Sequence, residues 1–500
     1  MIAPQTSCRP IPSPLFVFDN TYARLPSRFY ARQLPAAVPG PRLLKLNQTL
    51  ATQLGLDHDR LGSPDGVAVL AGNAMPDGAE PLAMAYAGHQ FGGFVPQLGD
   101  GRAILLGEVL DPQGERFDIQ LKGSGRTPFS RAGDGRAWLG PVLREYIISE
   151  SMHALGIPTT RALAAVATGE PVYRETRLPG AVLTRVAHSH VRIGTFEYFS
   201  AREDTEAVKR LADYVVTRHY PEAAAEERPY RALLDSVISR QAHLIAQWLS
   251  IGFIHGVMNT DNMSIAGETI DYGPCAFMDA YDPGKVYSSI DRNGRYAYGN
   301  QPRIAQWNLS CLAQSLLPLI DEDRNKALDE AQAAIDAFPE RFEQTYLGRF
   351  RGKLGLREAH ADDPELIGTL LQAIAKAGAD FTNSFRALCD AAEGSDDGFR
   401  AELGNNASSD EWLHHWRERL AREAIDPAVR AAGMRRENPA VIPRNHRVEA
   451  VLEAAVGGDL DPLEDLLQIL ALPWEERPEN WPYRCPPEQH EVVHQTFCGT

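Results

Sequence analysis

The sequence lacks the features that mark secreted, membrane-spanning and zinc-binding chains. Its six cysteines are scattered and form no C-x-x-C pair, so we predict no zinc site, and reduced thiols are the default. No run of about 18 apolar residues occurs, which argues against a membrane span. The first residues contain no charged stretch followed by an apolar one, so we predict no signal peptide and expect a cytoplasmic protein.

Positive charge is scarce as well. The chain has 50 Lys and Arg residues against 66 Asp and Glu, a formal net charge of -16. Non-specific nucleic-acid binding and attraction to anionic membranes both need a basic surface, so neither partner is predicted. With 500 residues, 44% of them hydrophobic and 23% charged, the composition is that of a globular protein of several domain-sized units.

The order of predicted elements indicates an α+β fold. Residues 1–80 are Pro-rich and irregular, with a short helix expected near residues 43–56. Strands are expected over 102–110, 117–122 and 181–186, and Pro141 opens the helix among them. From there helices dominate, beginning with an apolar-faced helix over 233–249. A small β-rich lobe followed by a larger α-rich lobe is therefore predicted.

The loop that follows the 233–249 helix has the pattern of a protein-kinase catalytic loop with one part moved. Asn262 stands seven residues after His255, and Asp271 opens an Asp-x-Gly sequence, as the two metal ligands of a kinase do. Their oxygens suit Mg²⁺ or Mn²⁺. The position of the kinase base, however, is Val257, which cannot take a proton, while an acid, Asp261, directly precedes Asn262.

Further kinase-like parts come earlier in the chain and in the expected order. A glycine turn, Gly99-x-Gly101, precedes the first strand; Lys122 ends the next strand, and Glu145 lies in the following helix. Taken singly, each is a common turn or surface residue. Their order predicts a nucleotide-binding site with an ion pair between Lys122 and Glu145.

Three long strings then connect the chain to a family. YAGHQFGGFVPQLGDGR (residues 86–102), QLKGSGRTPFSR (120–131) and HGVMNTDNM (255–263) resemble the selenoprotein O family, kinase-like proteins that transfer AMP from ATP to protein hydroxyls. The likeness covers most of the chain. It resembles a bacterial member, because Cys498 stands near the C-terminus, where some eukaryotic members carry selenocysteine.

The resemblance implies a bilobal protein-kinase-like fold with terminal extensions. The expected units are an N-terminal extension (1–80), the N-lobe (81–180), the C-lobe (181–345) and a helical C-terminal extension with a tail (346–500). ATP is expected to bind flipped relative to a kinase, with its γ-phosphate inward and its α-phosphate exposed to the acceptor. The residues implied to bind it are Gly99, Gly101, Arg102, Lys122, Asp134, Gly135, Arg185, Arg192 and Asp271.

Two assignments stay open at this point. Asp261 is expected to be the catalytic base that accepts a proton from a Ser, Thr or Tyr hydroxyl, but it could instead help to hold the metal. The resemblance also implies a redox-sensitive disulfide between Cys275 and Cys498, whereas the compartment alone favours two reduced thiols.

Three functions compete on the sequence. The first is a protein adenylyltransferase that uses ATP and Mg²⁺ or Mn²⁺, with UMP transfer from UTP as a variant. The second is a phosphotransferase, which differs in the phosphorus atom attacked. The third is a nucleotide-binding pseudokinase scaffold, favoured by Val257 and disfavoured by the retained Lys122, Asn262 and Asp271. Protein substrates are expected as partners.

Overall fold

The computed structural model describes residues 14–497, an α+β chain with an antiparallel sheet in its N-terminal part and helices in its C-terminal part. The strands are β1 (Tyr30–Arg32), β2 (Arg42–Leu46), β3 (Leu82–Met84), β4 (Gly88–Gln90), β5 (Gly93–Val95), β6 (Ala103–Leu110), β7 (Arg116–Lys122), β8 (Ala137–Trp138), β9 (Arg161–Tyr173), β10 (Arg177–Ala187), β11 (Phe253–Ile254) and β12 (Ala276–Phe277). The helices are α1 (Gln48–Gln53), α2 (His58–Leu61), α3 (Pro64–Leu70), α4 (Leu139–Ala154), α5 (Ile193–Ser200), α6 (Thr205–His219), α7 (Pro229–Ser250), α8 (Gln301–Ile320), α9 (Arg324–Asp336), α10 (Phe338–Lys353), α11 (Asp363–Ala377), α12 (Phe381–Ala391), α13 (Asp397–Leu403), α14 (Ala407–Leu420), α15 (Pro427–Met434), α16 (Asn445–Val456), α17 (Asp461–Leu470) and α18 (Trp481–Arg484).

The main sheet places Lys122 between two partner strands. Its strand order is β1-β3-β6-β7-β10-β9-β2, with β8 added beside β10, and every pairing is antiparallel. Lys122, the last residue of β7, lies opposite Ala103 at the start of β6 and opposite Leu183 in β10. A side chain at this position is therefore held from both sides by strand backbone.

The two faces of this sheet are covered by different parts of the chain. Ile119 and Leu121 of β7 point to one face, where they pack with Leu50, Leu61 and Leu70 from α1 to α3. Strand side chains alternate between faces, so the neighbouring polar residues of β7 point the other way. The first 80 residues thus supply the apolar cover of the sheet's outer face.

The segment expected to be a helix over residues 43–56 is only partly helical, and the prediction was wrong for its first half. Arg42–Leu46 is strand β2, which pairs with β9, and helix α1 starts afterwards at Gln48. Asn47 ends the strand and caps the helix, because its side chain accepts a hydrogen bond from the Leu50 amide. A short apolar run fits either structure, and pairing with a distant strand decides it here.

Helices α4 and α7 position the polar residues of the interior. Helix α4 packs on β9 and β10 and carries Glu145, and α16 lies against it. Helix α7 ends at Ser250 and turns at Gly252, where φ is 72°, into the short strand β11. His255 follows β11 directly, and β11 pairs with β12 beyond the Asp271 loop.

The architecture agrees with a β-rich part followed by an α-rich part, while the likeness to a kinase stays a prediction. The main sheet takes strands from residues 30–46 as well as from 81–180, and β10 extends across residue 180. The expected unit boundaries at residues 80, 180 and 345 likewise stay predictions. Within residues 14–497, none of the helices is both long enough and apolar enough to cross a bilayer.

Candidate active site

Three cationic side chains share two carboxylates on the inner face of the sheet. Lys122 Nζ lies 2.6 Å from Glu145 Oε2 and 3.0 Å from Asp271 Oδ1. Arg185 of β10 makes the same pair of contacts, at 3.0 Å to Glu145 Oε1 and 2.9 Å to Asp271 Oδ1. Arg192, just before α5, contacts Asp271 Oδ2. Strands β7 and β10, helix α4, the residue before α5 and the Asp271 loop therefore meet at one charged cluster.

The electrostatics of this cluster favour a ligand with several negative charges. Burial lowers the pKa of Lys122, and the nearby Arg185 lowers it further. Burial alone would raise the pKa of Asp271, but Arg192, Lys122 and Arg185 outweigh burial and hold that pKa well below its usual value. Glu145 and Asp271 share the three cations, and Asp100 Oδ1 lies 3.9 Å from Arg192, where burial raises the pKa of that carboxyl. Phosphate oxygens could take the donors that Asp271 now occupies.

Asp271 is held in a backbone conformation that few residues other than glycine adopt. Its φ is 62°, in the left-handed region. Two contacts fix the surrounding loop: the ring of buried His255 lies with Nε2 2.9 Å from the Ile270 carbonyl, and the Gly273 amide donates to the Asp271 carbonyl at 2.8 Å. Such strain persists where the surroundings determine the geometry, as they do at many functional sites.

Asn262 lies in a 3₁₀ turn over Thr260–Asn262 with its amide orientation fixed. Its Nδ2 donates to the Val257 carbonyl at 2.9 Å, which leaves the side-chain oxygen as the atom for a ligand bond. Val257 itself is buried. The place of a kinase base is therefore filled by an apolar side chain that belongs to the core.

Asp261, next to Asn262, is a buried carboxylate with one partner and one vacant oxygen. Gln90 Nε2 donates to Oδ2 at 3.1 Å, whereas Oδ1 is buried without a hydrogen-bond partner. Burial raises the pKa of Asp261 to about 6, against the lowering effects of Gln90 and Arg192. Arg192 also donates to the Asp261 backbone carbonyl at 2.6 Å, so one guanidinium joins Asp261 to Asp271.

The hairpin formed by β4 and β5 covers this loop. The His89 amide donates to Thr260 Oγ1 at 2.7 Å, and the Phe91 amide donates to Asn259 Oδ1 at 3.1 Å. A Cβ at Gly88 would lie 2.6 Å from Asp261 Oδ1, so only glycine lets the hairpin approach this closely. Sequence reasoning missed the role of this hairpin and of Gln90, although both lie in the string of residues 86–102.

The predicted glycine turn lies next to Lys122. Gly99 has a φ of 98°, and a Cβ there would meet the Phe129 ring at 2.4 Å. Gly101 leads into Arg102 and strand β6, and the charge of Arg102 contributes to the lowered pKa of Lys122. Asp100 between the glycines points inward, where its Oδ2 accepts from the Met84 amide at 3.1 Å.

Asp134 and Gly135 occupy a separate loop. Asp134 pairs with Arg174 at 2.8 Å, and this hydrogen bond lowers the pKa of the carboxyl. Gly135, with φ at 70°, packs against the Gly125 backbone. Among the contacts recorded for residues 14–497, none joins these two residues to the cluster around Asp271, so their nucleotide-binding role stays a prediction.

The residues predicted to hold a divalent cation can do so if the cationic side chains around Asp271 release its oxygens. Asn262 and Asp271 offer the hard oxygen ligands that Mg²⁺ and Mn²⁺ take. Both oxygens of Asp271 contact Lys122, Arg185 or Arg192, so a metal bond requires these cations to turn toward phosphate. A bound triphosphate would supply that alternative partner.

Cys275 lies close to the C-terminal segment. Its side chain is fully buried, and burial raises its pKa to about 11. Thr496 Oγ1 donates to the carbonyl of the adjacent Pro274 at 2.6 Å. Cys498, its predicted disulfide partner, lies outside the described residues, and the pairing stays a prediction.

Comparison with known proteins gives this arrangement a family. A sequence profile described as "Protein adenylyltransferase SelO" matches residues 15–471. A protein of Rhizobium etli, "Protein nucleotidyltransferase YdiU", is 60% identical over 492 residues, which cover 98% of each chain. Proteins of the same name from Rhodopseudomonas palustris and Methylorubrum populi are each 61% identical, over 487 and 495 residues, covering 97% of this chain and 99% of theirs.

The class of the enzyme follows from these matches. It is a nucleotidyltransferase, because the relatives that it matches over nearly their whole length and the family profile both carry that activity in their descriptions. The chain belongs to the SelO family of protein adenylyltransferases. The family membership predicted from the three sequence strings is thereby confirmed.

Proposed function

We propose that this enzyme transfers AMP from ATP to Ser, Thr or Tyr hydroxyls of other proteins and releases pyrophosphate. The observation that carries the proposal is Arg192, whose guanidinium contacts both the Asp261 carbonyl and the Asp271 carboxylate. A group able to take a proton thus stands beside a cluster able to hold phosphates. That pairing is what nucleotidyl transfer to a hydroxyl requires.

The cluster would bind the triphosphate. Lys122, Arg185 and Arg192 are buried or nearly so, and their donors are grouped around the same two carboxylates. On binding, phosphate oxygens replace the Asp271 contacts, and Glu145 keeps Lys122 and Arg185 in place. Arg185 and Arg192 suit a terminal phosphate because a guanidinium gives bidentate, charge-assisted hydrogen bonds.

Asn262 and Asp271 are the residues that would hold Mg²⁺ or Mn²⁺. When bound there, such an ion neutralises negative charge on the phosphates during transfer. The Asn262 amide is already oriented by Val257, and the backbone of Asp271 is already fixed. The chain's own contribution is to keep both oxygens in place before the nucleotide arrives.

Asp261 would act as the general base. Its pKa of about 6 leaves it ionised near neutral pH yet basic enough to accept a proton. Its Oδ1 has no partner but is covered by Gly88, so an acceptor hydroxyl would reach it once the β4–β5 hairpin moves aside. The hydroxyl oxygen forms a bond to the α-phosphorus as its proton passes to Asp261. The bond from the α-phosphorus to the bridging oxygen breaks, and pyrophosphate carries away that electron pair.

The same proposal includes a flipped nucleotide. Gly99, Gly101 and Arg102 would line it beside Lys122, with Asp134 and Gly135 reaching the phosphates from their separate loop. The γ-phosphate would then lie deep against the arginines, and the α-phosphate would face the acceptor. Nothing in this geometry selects adenine over uracil, so UTP is a second nucleotide to be tested.

The deciding experiment follows two labels in parallel. The full chain is incubated with protein acceptors and either α-labelled or γ-labelled ATP, with Mg²⁺ or Mn²⁺ and reductant, and Asp271→Ala serves as the inactive control. Label from the α-position alone, absent in the variant, is the expected result. Transfer from the γ-position would make the enzyme a phosphotransferase, and no transfer from either position would favour a nucleotide-binding scaffold.

A further inference from the structure

A second group of potential metal ligands lies outside the nucleotide site. In the part of the chain that the structure describes, His89, Glu197 and Cys311 each offer one ligand atom, and these three atoms lie within 4.8 Å of one another. The residues come from β4, α5 and α8, so only the folded chain brings them together. The separation of 108 positions between His89 and Glu197 explains why a search for closely spaced ligands predicts no such site.

Glu197 has a buried side-chain oxygen without a hydrogen-bond partner. Its Oε1 lies 2.5 Å from His89 Nδ1, but its Oε2 is buried without any hydrogen-bond partner. The residue is only 4% exposed. A buried carboxylate oxygen without a partner is costly, so a pairing with His89 alone leaves this side chain incompletely satisfied.

The other two side chains have the chemistry of zinc ligands. Trp307 meets the His89 ring edge-on at 5.2 Å between centroids and holds the ring beside Glu197. Burial raises the pKa of Cys311 to about 12, so without a metal its sulfur carries a proton, whereas a coordinating metal removes that proton. Cys311 is partly accessible, which leaves room for a solvent ligand.

We propose that His89, Glu197 and Cys311 form a zinc site that clamps the β4–β5 hairpin to α5 and α8. Nitrogen, oxygen and sulfur are each accepted by zinc at about 2.0 to 2.3 Å, in tetrahedral sites that a water completes when three ligands come from protein. Binding replaces the proton shared between His89 and Glu197 and releases the Cys311 thiol proton to solvent. The unpartnered Oε2 gains a cation, and the oxygen ligands of Asn262 and Asp271 are not involved.

The clamp would act on the base of the proposed reaction through the hairpin. The His89 amide bonds Thr260, and the next residue, Gln90, donates to Asp261. Fixing the His89 side chain therefore fixes the hydrogen bond that Asp261 receives. His89 is in this sense a positioning residue, and its metal binding can be measured without any assay of transfer.

Cobalt is the probe that reads out the thiolate directly. The full chain is stripped of metal with a chelator under reducing conditions and titrated with Co²⁺, which takes zinc sites and gives a thiolate-to-cobalt charge-transfer band only when sulfur is a ligand. The expected result is a band that saturates at one cobalt per chain and is displaced by Zn²⁺. Elemental analysis of the protein reloaded with zinc should find the same stoichiometry.

Variants separate this site from adventitious binding. Cys311→Ser should lose the band, and His89→Ala should lose stoichiometric zinc, while the matched control Cys485→Ser keeps both. Asp271→Ala should also keep the band, because that residue belongs to the other site. Absence of the band in the unaltered protein, or a band that survives Cys311→Ser, overturns the proposal whether or not every variant folds.

Discussion

Asp261 and Asp271 belong to the same loop region, yet they differ in their charged partners and in the direction of their pKa shifts. Asp271 is surrounded by Lys122, Arg185 and Arg192, which hold its pKa well below the usual range. Asp261 has one hydrogen bond, one vacant oxygen and a pKa raised to about 6 by burial. Identical side chains thus receive opposite pKa shifts from their neighbours, and these shifts suit the ligand role proposed for Asp271 and the base role proposed for Asp261.

Replacement of Asp271 by Asn should reduce the rate of transfer more than any other change proposed for these two residues. The variant loses both the metal ligand and the counter-charge of three cations, so we expect transfer to fall by about a thousandfold or more, roughly 4 kcal/mol. The three freed cations should still bind ATP without a divalent ion, measured as a rise in melting temperature. Asp213→Asn, which breaks an exposed ion pair with Lys209, is the matched control and should change neither quantity. Wild-type transfer rates in Asp271→Asn would refute the ligand role.

Asp261→Asn should separate activity from stability. Loss of a general base predicts a decrease of about 10² to 10⁴ in kcat/KM. Because the folded-state pKa of Asp261 is about 6 and the ordinary pKa of an Asp carboxyl is 3.8, wild-type stability falls as pH rises through this interval. The Asn variant escapes that loss, so at pH above about 7 it should be more stable than wild type by as much as ~3 kcal/mol, and equal to it below about pH 3.

Urea unfolding of both proteins across that pH range measures this difference. An Asp261→Asn protein with unchanged kcat/KM would leave the base unassigned and return Asp261 to its alternative role beside the metal.

The pH profile should respond to the one hydrogen bond that Asp261 receives. With Asp261 as base, kcat/KM should fall about tenfold per pH unit below a midpoint near pH 6. Gln90→Leu removes the donor to Oδ2, so the pKa of Asp261, and with it this midpoint, should move upward. Gln113→Leu, on an exposed turn, is the control. A midpoint that Gln90→Leu moves to lower pH, or does not move, would contradict the assignment.

The smallest expected effect comes from the predicted disulfide between Cys275 and Cys498, which would restrain the segment that follows Asp271. If Cys275 and Cys498 pair, oxidation ties the tail to the segment that follows Asp271 and leaves the Asp261 loop untouched. Oxidised protein should then migrate faster on non-reducing gels, and Cys498→Ala should abolish that shift, while Cys485→Ala retains it. A shift that persists in Cys498→Ala would exclude the pairing.

Local pattern predicted the elements whose residues repeat with a clear period. The alternation over residues 117–122 predicted β7, and the apolar spacing over 233–249 predicted α7, now bounded at Arg116–Lys122 and Pro229–Ser250. Strand β2 was not predicted, because its short apolar run forms a strand only by pairing with the distant β9. The hairpin over Gly88–Val95 was not predicted, because each of its strands has only three residues, too few to show an alternating pattern.

The site divides in the same way. The order of Lys122, Glu145, Asn262 and Asp271 in the sequence was enough to propose them as one site, and the folded chain brings Lys122, Glu145 and Asp271 into contact. The burial of Asp261 could not be read from the sequence, because the residues that bury it come from the distant hairpin. Residue types can be found by spacing, but their pKa values depend on neighbours that spacing does not reveal.

The short helices α1 to α3 have a consequence for how this enzyme can be divided. They precede every residue assigned to chemistry, yet they shield Leu106, Ile119 and Val186 on the outside of the sheet. Burying such side chains is worth about 1.5 to 3 kcal/mol each. A fragment begun at residue 81 would keep every residue proposed for chemistry but present a bare apolar surface prone to aggregation. The smallest piece that folds is therefore larger than the stretch that contains the proposed active-site residues.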